Sequence, residues 1–582
     1  MLKQYFPIFS WLKDYKKIYF QGDLSAGITV GVMLIPQGMA YAMIAGLPPV
    51  FGLYASLIPQ VVYAMMGTSR QLAVGPVAMD SLLVASGLGA LVISGIEEYI
   101  LMAIFLALFM GSIQLLLGIF RMGFLVNFLS KPVISGFTSA AAIIIGLSQL
   151  KHVLGYEVES SNQIHVLLRH ILTGIDQINS YTVVIGMVAI ILIKGLKKVS
   201  SKIPSALVVV ILGITGVYFT EIHEAGVAIV GFVPKGLPGF VIPTISYDRV
   251  SELVPIVLTL ALIAFMEAIS VAKAVEENHN DYIVDANQEL IALGISNIIG
   301  SLFQSYPTTG GFSRTAINDQ AGARTGVAPI ISAILVGLTL LFLTPLFYYL
   351  PNAVLAAIIM VAVFNLVDIE YPIQLYKNRK DEFFLLLFTW IITLSIGIKE
   401  GILIGVLISI ILMIYRTSLP HIAELGNISG TSYFKNKERF RATVETDDTV
   451  LIIRFDAQLF FGNKDFFKKE LYKLIDAKGT KLETIILNAS SINYIDSSGA
   501  YMLRRSIEEL KSKGFRFLIA EAIGPVRDIL FSSGLIDSIG VHNLFVRTEE
   551  AYEYSRIFGE KTEMQKIITL ESKNNSNNLG TM

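Results

Sequence analysis

Cysteine is absent from the 582 residues, and charge is scarce: Asp, Glu, Lys and Arg together make up 16% of the chain. Without thiols there are no disulfides, no thiolate metal sites and no thiol redox chemistry. A soluble protein of this size carries about 25% charged residues, so the shortage argues against a soluble globular chain. The formal net charge is −1, which leaves no basic surplus for a nucleic-acid partner. No GxxxxGK[ST] stretch is present, which excludes that route to ATP. Only seven histidines occur, with no HExxH pair, and no nucleophile–base constellation is visible, so enzymatic activity and a protein-held cofactor or metal are not expected. A cleavable leader is not expected either: Lys3, Lys13, Lys16 and Lys17 precede an apolar run that begins only near Leu24.

What the chain does have is apolar length. It is 53% hydrophobic, and a spanning helix needs about 20 mostly apolar residues. Spanning segments are expected near 24–43, 49–66, 76–92, 99–119, 130–150, 180–196, 204–220, 252–273, 285–302, 311–321, 326–347, 350–367, 382–398 and 400–416. The fourteen divide as seven plus seven, and the third and tenth, both short, hold equivalent places. An even number puts both termini on one side. Arg121 and Lys131, then Lys194, Lys197, Lys198 and Lys202, then Lys377, Arg379 and Lys380 all follow even-numbered segments. Odd-numbered connections are short or acidic, as at Glu97-Glu98, with the loop holding Lys151 and Arg169 as the exception. The positive-inside rule then predicts cytoplasmic termini.

The two short segments share a design. Phe303 to Asn318, FQSYPTTGGFSRTAIN, is polar and glycine-rich in the midst of hydrophobic segments. Such backbone survives at membrane depth only inside protein or beside a watery cavity. Gly310 and Gly311 permit a sharp entry into a short helix whose N-terminus carries free N–H groups and partial positive charge. Arg314 adds a cation one turn in, the chemistry of an anion site; a packed helix interruption with Arg314 in an ion pair is the alternative. Gln71 to Ser81, QLAVGPVAMDS, repeats the pattern with a short apolar strand and Gly75-Pro76. A strand and half-helix at matching places in two hydrophobic halves point to a transporter site formed by an inverted repeat.

After Arg416 the pattern becomes that of a soluble α/β domain. Thr449 to Phe455, Thr484 to Leu487 and Phe515 to Ile519 read as buried strands, with amphipathic helices near 464–477, 497–513 and 524–533. The expected organisation is a cytoplasmic N-terminal segment (1–20), a membrane domain (21–418), a linker (419–430), a cytoplasmic α/β domain (431–558) and a disordered polar tail (559–582).

Several runs resemble the SulP anion transporters, the sulfate permease family. Pro49 to Arg70, PVFGLYASLIPQVVYAMMGTSR, looks like the family signature, Pro36 to Ala42, PQGMAYA, like its first helix, and Gly311 to Asn318 like its tenth. Asp496-Ser497-Ser498-Gly499 after a strand resembles a STAS domain. The resemblance spans roughly residues 20–555. It implies a polytopic α-helical protein with fourteen transmembrane segments in a 7+7 inverted repeat, two half-helices (segments 3 and 10), and a C-terminal soluble α/β STAS domain. It further implies a core domain holding the anion between the half-helices, a gate domain and a homodimer. Family members carry sulfate, bicarbonate, chloride, oxalate or dicarboxylates, as symporters, exchangers or channel-like proteins; one is a voltage-driven motor.

The resemblance places Gln37 beside the anion as an amide donor, and the backbone at Val77 and Ala78 and at Gly311, Phe312 and Ser313 around it. Val77 and Phe312 would narrow the pocket. Glu267 lies in Thr259 to Ala272, TLALIAFMEAISVA. An acid within such a segment is a functional hypothesis by default, and burial favours a carboxylate's neutral form. The family often has an acid here that couples transport to a proton or sodium ion, with Ser270 on the same face; a pair with Lys273 or Arg314 is the alternative. The resemblance supplies no acid at Asp80, which is open to two readings: a pair with Arg314, or a second proton site. Ser498 matches the serine phosphorylated in small bacterial STAS regulators, against plain helix capping by Asp496 or Ser497. The expected function is sulfate uptake across a bacterial inner membrane, coupled to H+ or Na+ (sodium, if used, near Glu267). Bicarbonate or dicarboxylate is the alternative substrate, and uncoupled exchange or channel conduction the alternative mode. A membrane sensor signalling through the STAS domain is disfavoured by the paired half-helices. Expected partners are the anion, the lipid bilayer and a second copy of the chain; the STAS partner is not indicated.

Overall fold

In the computed structural model the described residues are 6–13, 15–89, 91, 93, 95–124, 130–156, 164–173, 175–199, 204–243, 247–276, 279, 281–364 and 367–557. The chain divides into two compact units, Met1–Ser409 and Ile410–Met582.

The first unit is helical. After a turn at Ile8–Trp11 come α1 (Lys17–Ile44), α2 (Val50–Ala55), α3 (Ile58–Met66), β1 (Val74–Gly75), α4 (Ala78–Gly89), α5 (Ile96–Ile119), α6 (Lys131–Ser148), α7 (Leu150–Leu154), α8 (Ile164–Thr173), α9 (Ser180–Val199) and α10 (Ser205–Thr220). Then follow α11 (Tyr247–Glu276), α12 (Ala286–Leu302), β2 (Thr309–Gly310), α13 (Phe312–Gln320), α14 (Val327–Leu338), α15 (Asn352–Phe364), α16 (Glu370–Asn378), α17 (Lys380–Ser395) and α18 (Ile398–Ser418). Among the described residues six helices are long and apolar enough to cross a membrane, and shorter apolar helices occupy Val50–Met66, Ala78–Gly89, Ile164–Thr173, Ser180–Leu196, Ser205–Thr220 and Asn352–Phe364. The sequence reading missed the amphipathic α8 and the largely polar α16, because neither carries a long apolar run.

Small residues let helices pass closely, which substitutes for a hydrophobic drive that lipid does not provide. A Cβ on Gly294 of α12 would meet Leu115 N at 2.6 Å and Gly111 O at 2.8 Å on α5. A Cβ on Gly52 of α2 would overlap the Gly38 carbonyl of α1. That contact explains why a glycine stands in each of the two motifs around Gln37 and Tyr54.

Two buried acids fasten the turns that flank the short strands. Glu289, at the start of α12, accepts from Tyr63 Oη at 2.6 Å, Thr68 N at 2.7 Å, Thr68 Oγ1 at 2.6 Å and Ser69 N at 3.2 Å. This fixes the turn that leads into β1. Asp23, on α1, accepts from Arg324 N at 2.7 Å, Thr325 N at 3.0 Å, Thr325 Oγ1 at 2.7 Å and Tyr15 Oη at 3.3 Å, fixing the turn after α13. Both side chains are fully buried. We expect Glu289→Ala to lower stability by about 2 kcal/mol or more, because buried donors lose their acceptor, and Glu289→Gln to cost less because its amide oxygen still accepts. Melting of the detergent-solubilised variants checks this; an alanine variant as stable as the wild type refutes it.

The second unit is a seven-stranded sheet with helices. The strands are β3 (Ile422–Ile428), β4 (Phe434–Asn436), β5 (Val444–Glu445), β6 (Val450–Phe455), β7 (Thr484–Asn488), β8 (Arg516–Ala520) and β9 (Leu544–Phe545). Their order is β4-β3-β6-β7-β8-β9, with β5 also on β3; β6 to β9 run parallel and β3 is antiparallel to its neighbours. The connecting helices are α19 (Lys464–Lys478), α20 (Ser497–Ser512), α21 (Gly524–Ser532) and α22 (Leu535–Ile539), and a further helix covers 548–557. Leu451, Phe455, Phe467, Leu503 and Phe517 form its core. Residues 419–430, read above as a linker, hold β3: it pairs with β6 from Ile422↔Phe455 to Leu425↔Ile452. Its polar IAELGNI composition hid a strand whose stability comes from its neighbours. The expected tail from 559 lies outside the described residues.

Candidate functional site

β1 and β2 pair antiparallel, Val74 opposite Gly310 and Gly75 opposite Thr309. α4 leaves one end of this ladder and α13 the other, so their N-termini face each other across it, on the order of 10 Å apart from strand rise alone. The two helix starts match: Ser81 N donates to Val77 O at 3.0 Å and Thr315 N to Gly311 O at 3.0 Å. The first N–H groups of each helix, at Ala78, Met79 and Asp80 and at Phe312, Ser313 and Arg314, have no acceptor within the helix. Two positive dipole ends thus converge.

The ladder is held from several sides. Asn318 Nδ2 donates to Gln71 O at 2.8 Å, and Thr315 Oγ1 accepts from Ala73 N at 3.0 Å. Thr309 Oγ1 donates to Ala264 O on α11 at 2.6 Å. Asn297 of α12 brackets Thr308, accepting from its N–H at 2.8 Å and donating to its carbonyl at 3.0 Å.

Arg314 lies across this ladder. It is buried, and its Nη1 donates to Pro76 O at 2.6 Å, reaching from the start of one half-helix to the other. Its guanidinium packs over Gly311 and Gly75: an added Cβ would come within 2.9 Å and 3.5 Å of Nη2. Nε and Nη2 are buried with no hydrogen-bond partner among the described residues. Tyr41, Glu267 and Tyr306 lie within electrostatic reach of the guanidinium, and Asp80 within reach of Glu267 and Tyr306.

The other expected residues fall as follows. Gln37 is buried on α1 with its Oε1 unpartnered among the described residues. α1 runs unbroken through Pro36 and Gln37, losing only the hydrogen bond that Pro36 cannot donate to the Val32 carbonyl. Val77 and Ala78 are buried, while Phe312 and Ser313 are exposed on the open side of α13. Gly311 differs from expectation: its N–H donates to Ala73 O at 3.1 Å, so that amide belongs to the ladder, and what the residue contributes is room for Arg314. Glu267 is half-buried, and Ser270 and Ala274 follow it on the exposed side of α11. Lys273 pairs with Glu276 at 2.7 Å, not with Glu267. Asp80 is fully buried, and neither oxygen has a partner among the described residues, so the pair with Arg314 is not formed. In the second unit Asp496 caps α20, accepting from Gly499 N at 2.7 Å, with Ser498 half-buried beside it.

Tyr41 and Tyr306 escaped the sequence reading. Tyr41 follows Gln37 by four residues on α1 and therefore shares its face, a signal that was available. Tyr306 binds Ser81 at 3.1 Å between their hydroxyls, a contact set by the fold alone.

The model of the sulfate permease family matches residues 20–389, and that of the STAS domain residues 441–551. The chain belongs to the sulfate permease family. This SulP chain is 38% identical over 566 residues to "Sulfate transporter 4.1, chloroplastic" of Arabidopsis thaliana, covering 94% of the chain and 82% of that protein. It is 40% identical over 564 residues to "Probable sulfate transporter 4.2" of the same plant, covering 94% and 83%. Among solved structures it resembles the murine Solute Carrier 26 family member A9 anion transporter in the inward-facing state, with a TM-score of 0.88 at 25% identity over 96% of this chain and 94% of that one. The SulP chain is accordingly a multi-pass membrane transporter with a helical membrane part and a C-terminal STAS domain, not an enzyme.

Proposed function

We propose that this protein is a secondary active transporter that takes up sulfate, coupled to a proton or sodium gradient, and that it binds the anion between the N-termini of α4 and α13. The observation that carries this reading is Arg314: a buried guanidinium between two converging helix N-termini, with two nitrogens, Nε and Nη2, unpartnered among the described residues. An anion there would take charge-assisted bonds from Arg314 and from the free amides of Ala78, Phe312 and Ser313. Gln37 supplies a neighbouring amide, and Val77 and Phe312 narrow the approach. Glu267 sits within electrostatic reach of the same guanidinium. When ionised it competes with the anion for Arg314. A proton or a sodium ion on Glu267, with Ser270 on the same open face, removes that competition, so cation and anion bind better together than apart.

The names of the relatives support sulfate over bicarbonate or dicarboxylate. The half-buried acid supports coupled transport over an uncoupled exchanger or channel, which has no use for it. The same reading includes fourteen segments in two inverted repeats, cytoplasmic termini, a plasma membrane location and a homodimer. For Ser498 the Asp496 cap supports a structural place over a phosphosite.

The test is uptake by proteoliposomes offered labelled sulfate, bicarbonate and dicarboxylates, with imposed proton or sodium gradients. Concentrative sulfate uptake that follows one of those gradients is expected. Uptake that only equilibrates sulfate, whatever gradient is imposed, would overturn coupling; preference for another of the anions would overturn the substrate.

A further inference from the structure

Among the described residues the membrane unit contains three fully buried acids, Asp23, Asp80 and Glu289, and they are treated very differently by the fold. Asp23 accepts four hydrogen bonds and Glu289 another four. Those are the marks of carboxylates kept for structure: the donors repay the cost of burying the charge. Asp80 accepts none among the described residues, and both of its oxygens are buried. An ionised carboxylate in such a place is strongly disfavoured unless something compensates it. The fold nevertheless puts it in the first turn of α4, at the edge of the anion site.

The titratable groups within electrostatic reach of Asp80 are Glu267 from α11 and Tyr306 from the segment before β2. Behind them stand Arg314 on α13 and Tyr41 on α1. The other helices packed on α4 carry charge only at their starts: Glu97 and Glu98 on α5, and Lys131 on α6. The charged group within electrostatic reach of Asp80 is thus an acid, not a base. Two carboxylates that share such a site do not both stay ionised easily.

We propose that Asp80 is a second proton-binding site of the anion centre, so that each sulfate binds together with two protons, one on Glu267 and one on Asp80. This rests on the transport reading above and adds its stoichiometry. The charge of the centre supports it. Arg314 contributes one positive charge and each half-helix N-terminus about half of one. With both acids ionised these cancel, and a dianion would bring two uncompensated charges into a water-poor site. With one acid neutral the centre matches a monoanion. Only with both neutral does its positive charge match the two negative charges of sulfate. Protonated Asp80 also gains an O–H that can donate to the bound anion, giving its oxygens the partner that the protein does not supply. Both protons enter from solution and leave with the sulfate, so no other reactant is needed.

The measurement is calorimetric titration of inorganic sulfate, as its tetramethylammonium salt, into the purified full-length protein at about pH 8, in sodium-free buffers of differing ionisation enthalpy; the buffer dependence counts the protons taken up per sulfate. For the wild type we expect about two, for Asp80→Asn and for Glu267→Gln about one each, and for the double variant about none. In the same terms, wild-type affinity should fall up to about a hundredfold per pH unit above both titrations, and each single variant about tenfold. Sulfate binding by Asp80→Asn with unchanged proton uptake overturns the second site while leaving Glu267 and the transport reading intact. Sulfate binding by the wild type with no linked proton overturns proton coupling itself, and this proposal with it. Should Asp80→Asn not fold, the wild-type count decides alone: about one proton or fewer at every pH between about 6 and 9 overturns the proposal.

Discussion

Arg314→Ala abolishes sulfate uptake and leaves the membrane unit folded: this is the expected result of removing the buried cation that spans the two half-helices. Each charge-assisted hydrogen bond contributes about 1.5–3 kcal/mol, so losing two from a dianion weakens binding by at least about a hundredfold. The fold should survive, because the ladder is also held by Asn318, Thr315, Thr309 and Asn297. The protein loses only the bond to Pro76 O. Arg314→Lys should recover little. An ammonium keeps the charge but lacks the planar fork that reaches Pro76 with one nitrogen and presents two more N–H directions to an anion. Equilibrium binding of labelled sulfate, together with the melting temperature of each variant, separates loss of the site from loss of the fold. An alanine variant with wild-type affinity and rate would remove Arg314 from the mechanism.

Glu267→Gln should bind sulfate at neutral pH as well as the wild type or better, yet lose much of its power to accumulate it. The amide resembles the protonated acid, so the anion no longer meets a competing negative charge beside Arg314. What disappears is the link between that charge and the cation. Each coupled proton supports about a tenfold concentration ratio per unit of pH gradient, so the steady accumulation should fall by about that factor or more. Counterflow of sulfate down its own gradient needs no coupling and should survive. The sign of the pH effect follows: wild-type affinity declines as rising pH ionises Glu267, and the glutamine variant lacks that contribution. If Glu267→Gln accumulates sulfate as the wild type does, Glu267 is structural and the coupling lies elsewhere.

The polar, glycine-rich breaks at Gln71–Ser81 and Phe303–Asn318 declared themselves in the sequence because apolar surroundings make such stretches costly, and the SulP motifs ordered them. Strands β6, β7 and β8 were equally plain, since a parallel strand buried on both faces reads as a continuous apolar run. By contrast β3 reads as a linker in the sequence, because its polar residues make no apolar run, and what holds it is pairing with β4, β5 and β6. Glu289 and Asp23 carried no signal either. An acid at a helix end looks like solvent-facing charge until the chain folds back and supplies its donors.

The sequence by itself determined that the chain lives in a membrane, that two half-helices interrupt it, and that Arg314, Glu267 and Asp80 are charges in places where charge is expensive. Apolar length and the cost of bare polar groups in lipid are local properties, so local reading reaches them. Only the tertiary structure decided which of these charges meet. The β1–β2 ladder sets residues more than two hundred positions apart against each other, such as Val74 and Gly310. It turned Gly311 from an amide donor into space for a guanidinium, and left Asp80 without a hydrogen-bond donor among the described residues. Those outcomes depend on distances between elements far apart in the chain, and no periodicity or composition encodes them.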